Sequence, residues 1–114
     1  MHELGIVFHM IDTLEDLGRE QRLSVISKVT LELGEVSGVL PDYLQDCWRW
    51  AADKRDLLRG AELEVVPIHA LCICNDCGTT YATLEHGRIC PACESEHTEL
   101  LCGREIQIDT IVAA

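Results

Sequence analysis

Two pairs of cysteines, Cys74-Asn75-Asp76-Cys77 and Cys90-Pro91-Ala92-Cys93, stand with twelve residues between them. Two residues between cysteines let one tight turn aim both sulfurs at a single ion, and Gly78 and Pro91 suit such turns. Two turns of this kind supply four thiolates to a tetrahedron, the arrangement zinc prefers in a closed structural site. A thioredoxin-like redox motif stands once, at a helix N-terminus after a strand, so a matched pair of motifs argues against it. The spacing reads as structural Zn(II) held by Cys74, Cys77, Cys90 and Cys93. Cys72 falls two residues before Cys74 and shares its face in an extended strand. It reads as a partly buried free thiol, with a competing ligand role left open. Cys102 reads as packing and Cys47 as core. His69, His86 and His97 flank the block as solvated loop residues that could make it respond to pH.

The N-terminus offers a second set of donors. Met1 is retained before a residue as large as His2, so the free amine belongs to Met1. That amine and the His2 amide nitrogen close a five-membered ring around a metal. The amide nitrogen and the imidazole Nδ1 close a six-membered one. Three nitrogens in one plane suit Ni(II) or Cu(II). Glu3 adds an oxygen ligand or steadies the imidazole from behind. The bland alternative is that these are the frayed first residues of a helix. His9 lies about 10.5 Å farther along such a helix, too far to share the ion.

The surrounding chain must position these donors. It has 114 residues, 47% apolar and 25% charged, as a globular domain has. Seven cysteines without a secretion signal argue against a disulfide framework and for a cytoplasmic location. No apolar run approaches the ~20 residues of a spanning helix. The net charge of −11 argues against nucleic acid. Ile6, Val7, Met10, Ile11, Leu14 and Leu17 predict a helix over 2–18, ended by Gly18 and the polar run Arg19-Glu20-Gln21-Arg22. Val29, Leu31 and Leu33 predict a strand. Pro41 opens a helix expected to run to 58, with Leu44, Cys47, Trp48, Ala51 and Leu58 on its apolar stripe and Gly60 beyond its end. Leu63 and Val65 predict a second strand that Pro67 weakens or ends. Ile106, Ile108 and Val112 predict a third. The stretch 79–89 is long enough for a hairpin turning near Gly87.

The expected fold is α/β (α+β): a three-stranded sheet covered by two helices, with a zinc-ribbon-like domain inserted before the last strand. Residues 1–69 and 103–114 form the α/β domain. Residues 70–102 form the inserted one, which at under ~40 residues needs a metal staple.

The start Met1-His2-Glu3-Leu4, the segment 31–39 (LELGEVSGV), the paired CxxC block and the closing 103–108 (GREIQI) resemble the HypA/HybF nickel metallochaperones. The resemblance runs the length of the chain. It implies a non-enzymatic carrier that takes Ni(II) as cargo at Met1, His2 and Glu3 and keeps structural zinc on the four cysteines. It also implies delivery to the large subunit of [NiFe]-hydrogenase with the GTPase HypB as partner, and no nucleic acid or membrane. The alternative is a zinc-ribbon protein-interaction or nucleic-acid-binding module. Leu40 stands where family members often carry an acid near the nickel site, with Asp42 or Glu35 as substitutes. Glu94 stands where many relatives carry a histidine. The client, hydrogenase or urease, is left open.

Overall fold

In the computed structural model, which describes residues 2–114, the first helix α1 runs from Glu3 to Gln21. Val7, Met10, Ile11 and Leu14 are buried along one stripe. Gly18 does not end it, contrary to the sequence expectation. A Cβ on Gly18 would stand 2.7 Å from Leu57 Cδ2, so this glycine serves a close approach inside the helix. Termination falls at Arg22, which turns left-handed at φ 55 while the Leu23 N–H donates to the Gly18 carbonyl at 2.9 Å.

Strand β1 covers Ile26–Gly34 and is central in a sheet ordered β2-β1-β6, where β2 is Glu62–Ile68 and β6 is Ile106–Ala113. Burial of Val29, Leu31 and Leu33 follows their period-two alternation. Val25 and Ala114 exchange backbone hydrogen bonds. Ser27 Oγ donates to the Val112 carbonyl at 3.3 Å, and Gln107 Nε2 to Glu32 Oε1 at 2.7 Å. Across these pairs the residue number falls along β6 as it rises along β1, so β6 runs antiparallel to β1. Pro67 does not end β2, because β2 is an edge strand where a missing N–H is tolerated. In β6 Ile108 and Ile111 are half-buried while Ile106 and Val112 are exposed, so Val112 is not on the inner face.

The second helix α2 is Pro41–Ala52, shorter than the run to 58 that periodicity suggested. Arg55 is extended, at φ −119 and ψ 126, and breaks the helix. Leu58 is buried all the same, carried by a single 3₁₀ turn over Asp56–Leu58. Asp53 closes this loop, its carboxylate accepting the Gly60 N–H at 3.3 Å. Trp48 and Leu44 fill the core with Leu14, Ile26 and Leu31, and Trp48 Nε1 donates to the Ala61 carbonyl at 2.9 Å.

A second sheet is ordered β4-β3-β5, from β3 (Leu71–Cys74), β4 (Thr80–Ala82) and β5 (Thr98–Cys102). Both neighbours are antiparallel to β3, with Cys72 opposite Tyr81 on one side and Leu100 on the other. The expected hairpin over 79–89 is instead β4 followed by one helical turn, α3 (Thr83–His86), closed by Gly87 at φ 63. The chain forms two compact units. One comprises the residues up to Glu32, Val39–Val66 and Gln107–Ala114; the other comprises Leu33–Gly38 and Pro67–Ile106. The first holds both long helices and nearly all of the larger sheet, the second the small sheet and the cysteine pairs.

Within the second unit the backbone at Gly34 meets that at Gly103. A Cβ on Gly34 would fall 1.9 Å from the Gly103 carbonyl oxygen, which is backbone and cannot step aside. Gly34→Ala is expected to destabilise the protein by about 3 kcal/mol in urea unfolding. Gly5→Ala, with nothing within 4 Å of the added methyl, is expected to raise stability by about 0.7 kcal/mol. Equal midpoints for the two variants would show that the Gly34 crossing relaxes freely.

Candidate metal centres

The two CxxC turns fold identically. In the first, the Cys74 carbonyl accepts the Gly78 N–H at 2.9 Å while the Cys74 N–H donates to the Thr79 carbonyl at 2.9 Å. In the second, the Cys90 carbonyl accepts the Glu94 N–H at 2.8 Å and the Cys90 N–H donates to Ser95 at 3.0 Å. The residue four after the first cysteine is left-handed in both, Gly78 at φ 76 and Glu94 at φ 62. The Ala92 N–H also points at Cys90 Sγ, 3.4 Å away.

These turns bring four sulfurs within 4.8 Å of one another. Cys74 and Cys93 are 3.5 Å apart and Cys77 and Cys90 3.6 Å, well beyond a disulfide bond. Four thiolates about 2.3 Å from one zinc stand about 3.8 Å from each other, so the spacing fits a tetrahedral ion. Cys74 and Cys90 are buried, Cys77 and Cys93 exposed. Without a cation the thiols separate in acidity. The Thr79 hydroxyl, 3.1 Å from Cys77, draws that thiol down to about 6. Cys93 has a hydrogen bond from the Ser95 backbone that favours its ionisation. The Cys74 sulfur, burial and the other thiols nevertheless push it up to about 12. Four negative charges cannot share this volume unless a divalent ion sits among them.

No other cysteine or histidine among the described residues joins the cluster. Cys72 is wholly buried, more so than expected, with its sulfur 3.1 Å from the Thr83 hydroxyl. Cys102 Sγ lies 3.3 Å from the His69 carbonyl. His97 Nδ1 stands 3.0 Å from Asp76 Oδ2, to which Ser95 Oγ also donates, and this linkage ties the first turn to the second. The Ser95 hydrogen bond, then that of His97, holds the Asp76 carboxyl below its usual range. His86 packs edge-on to the Tyr81 ring. His69 is exposed and meets Glu35.

At the other site Met1, with its amine, lies outside the described residues. His2 is exposed at the N-cap of α1, with its carbonyl accepting the Ile6 N–H at 3.0 Å. The first N–H groups of a helix have no intrahelical acceptor, so position alone leaves the His2 amide open to other chemistry. Glu3 is 1% exposed, and its Oε2 accepts the Leu40 N–H at 2.9 Å. Leu40 is the N-cap of α2 and has no capping side chain of its own, so a carboxylate from α1 takes that part. The Leu40 hydrogen bond leads the causes that lower Glu3 to about 2. Leu40 thus meets Glu3 through its backbone, where an acidic side chain was expected from the resemblance. Glu35 is committed elsewhere. Its Oε2 accepts the Ala70 N–H at 2.8 Å and its Oε1 lies 2.8 Å from His69 Nδ1. Sequence reasoning missed the left-handed Glu94; its only signal is the four-residue offset it shares with Gly78.

A mixed α/β fold carrying a four-sulfur knuckle of zinc geometry defines a small metal-binding protein. No helix among its described residues is long and apolar enough to cross a membrane. The chain belongs to the HypA family, whose model, described as hydrogenase/urease nickel incorporation, metallochaperone, hypA, matches residues 1–113. It is 32% identical over 111 residues to the hydrogenase maturation factor HypA of Dehalococcoides mccartyi, covering 97% of this chain and 92% of that one. The factor of the same name from Chlorobium phaeobacteroides is also 32% identical, with 97% of both chains covered. The solution structure of the Ni metallochaperone HypA from Helicobacter pylori superposes with a TM-score of 0.74 at 19% identity, over 99% of this chain and 97% of that one.

Two predictions follow from the knuckle and its surroundings. Glu94→Gly is expected to stabilise the zinc-loaded protein by about 1 kcal/mol, and Gly78→Ala to destabilise it similarly, because only glycine adopts positive φ without strain. Unchanged urea midpoints in both would show that the turn relaxes. For Glu35, the Ala70 N–H and then His69 hold the folded carboxyl below its ordinary value of 4.5. Its stabilisation is complete above that value and is lost as pH falls through the lower folded one. The advantage over Glu35→Gln is expected at about pH 7 and should shrink by about pH 3. A constant difference between those pH values would remove the charge from the explanation.

Proposed function

We propose that this protein is a non-enzymatic nickel carrier of the cytoplasm. It takes up Ni(II) through the Met1 amine, the His2 amide nitrogen and the His2 imidazole. It passes the ion by ligand exchange to the large subunit of [NiFe]-hydrogenase, with the GTPase HypB as partner. Residues 1–69 and 103–114 carry nickel. Residues 70–102 hold one structural zinc on Cys74, Cys77, Cys90 and Cys93. The family match over residues 1–113 carries the reading.

The chemistry suits a carrier. Binding releases protons from the Met1 ammonium and the His2 amide, so uptake weakens as pH falls. An exposed terminal chelate has open positions that a recipient's ligands can occupy before the carrier's depart. Glu3 is held by Leu40 and anchors the helix start beneath His2. In this reading it steadies the chelate from behind. The zinc knuckle is closed and shapes its own unit without exchanging ligands.

His2→Ala is expected to abolish stoichiometric Ni(II) binding in calorimetry while one zinc per chain remains. A one-residue N-terminal extension keeps every side chain but turns the Met1 amine into an amide, and is expected to weaken nickel binding about 100-fold or more. Nickel bound by His2→Ala as tightly as by the parent would discard the terminal chelate. The cysteine block with His69, His86 and His97 would then be the place to look.

A further inference from the structure

Three of the five aromatic residues, Phe8, Tyr43 and Trp50, lie on the outside of the α1–α2 pair, 44%, 53% and 55% exposed. Leu4 is exposed one turn before Phe8. Between the helices Leu4, Tyr43, Asp46, Cys47 and Trp50 line a groove of about 250 Å³. Its wall is already ordered. Phe8 and Trp50 pack edge to face with centroids 6.5 Å apart, and the Lys54 ammonium sits 4.2 Å from the centre of the Trp50 ring. Trp48, two residues before Trp50, shows what the core requires of α2, being buried with its N–H satisfied. Trp50 serves no such purpose. Exposed, pre-ordered aromatics around a pocket are the composition of a binding hot spot.

We propose that this groove receives the apolar face of a basic amphipathic helix from a partner protein. Charge selects the class. The chain carries −11, which repels a second copy, an anionic membrane surface and nucleic acid alike. Acidic residues border the groove. Asp12 continues the Leu4–Phe8 stripe one turn on and Asp42 adjoins Tyr43, while Asp46, which lines the pocket itself, is ion-paired with Arg49. Geometry selects the shape. Tyr43 and Trp50 are seven residues apart, about 10.5 Å along α2, and a helix presenting apolar residues at i, i+3 or i+4, and i+7 spans the same length. Leu4 is two residues from His2, so a partner seated here brings its own metal ligands beside the terminus. That last consequence rests on the carrier reading.

The test uses two synthetic amphipathic peptides of about 18 residues, five helical turns, with the same leucine face and either lysine or glutamate opposite. The lysine peptide is expected to bind the full-length, zinc-loaded protein one to one, with a blue shift of Trp50 emission and weakening as salt rises. Phe8→Ala and Trp50→Ala, followed by calorimetry, should each weaken it about tenfold or more. Leu84→Ala, an exposed apolar site in the other unit, should not. Circular dichroism checks the fold, and Tyr43→Ala replaces any variant that fails it. The glutamate peptide should not bind. Lysine-peptide affinity unchanged in both aromatic variants, or equal binding of the glutamate peptide, would overturn the proposal. So would a dimer that Trp50→Ala dissolves, because the occupant would then be a second copy. His2→Ala should leave peptide binding intact, and Trp50→Ala should leave nickel binding intact. Nickel retained by His2→Ala therefore counts against the carrier reading and not against the groove.

Discussion

Four thiols crowded within 4.8 Å of one another can all ionise only around a cation. That constraint governs the smaller of the two units. Its buried hydrophobic cluster is Cys72, Cys74, Tyr81 and Cys90, with Leu100 packed against it. Two of those four side chains belong to the cluster of sulfurs. A core so small does not offset the ordering of the whole unit by apolar burial alone. The hydrogen bonds around the knuckle serve that constraint: two matched turns, the Thr79 hydroxyl at Cys77, and the Asp76 linkage that draws the turns together.

The larger unit depends on apolar burial and uses its polar groups differently. Glu3 is a carboxylate taken out of water at the start of one helix and placed at the start of another. A buried charge of this kind is tolerated because oriented N–H groups and the helix dipole replace its solvent. The effect is to lock the base of α1 while His2, one residue earlier, stays exposed. In the proposed carrier role, that combination would pair a rigid footing with ligands open to exchange. A deeper cage would bind more tightly and release more slowly.

The surface of this unit divides its aromatic residues by role. Trp48 is packing, and its N–H finds a carbonyl. Phe8, Tyr43 and Trp50 remain outside, beside carboxylates, where hydrophobic contact and charge can act on one partner. Contact of that kind supplies affinity, and the negative field supplies the rate and the choice of partner.

Much of this was legible beforehand. The cysteine spacing predicted the knuckle because a two-residue gap is a local property of one turn. The period-two run at Val29, Leu31 and Leu33 predicted β1 because a central strand must bury alternate residues. The family could be named from short motifs in order. Elsewhere local reading failed, each time because the deciding contact came from far along the chain. Gly18 reads as a stop until Leu57 is found against it. Leu58 reads as a helical position until Arg55 proves extended and a 3₁₀ turn delivers the same side chain to the core. Glu3 reads as a ligand or as a support behind the imidazole, and nothing near it in sequence announces its hydrogen bond to Leu40, 37 residues on. Glu94 gives no local sign of a left-handed backbone, which follows only from the requirement that two turns present sulfur in the same way. The sequence alone thus determined which donors exist and which faces are apolar, since both follow from residue type and spacing. Which donors converge, which glycine is a stop and which carboxylate is already occupied were decided by the tertiary structure, because those depend on neighbours that only folding brings together.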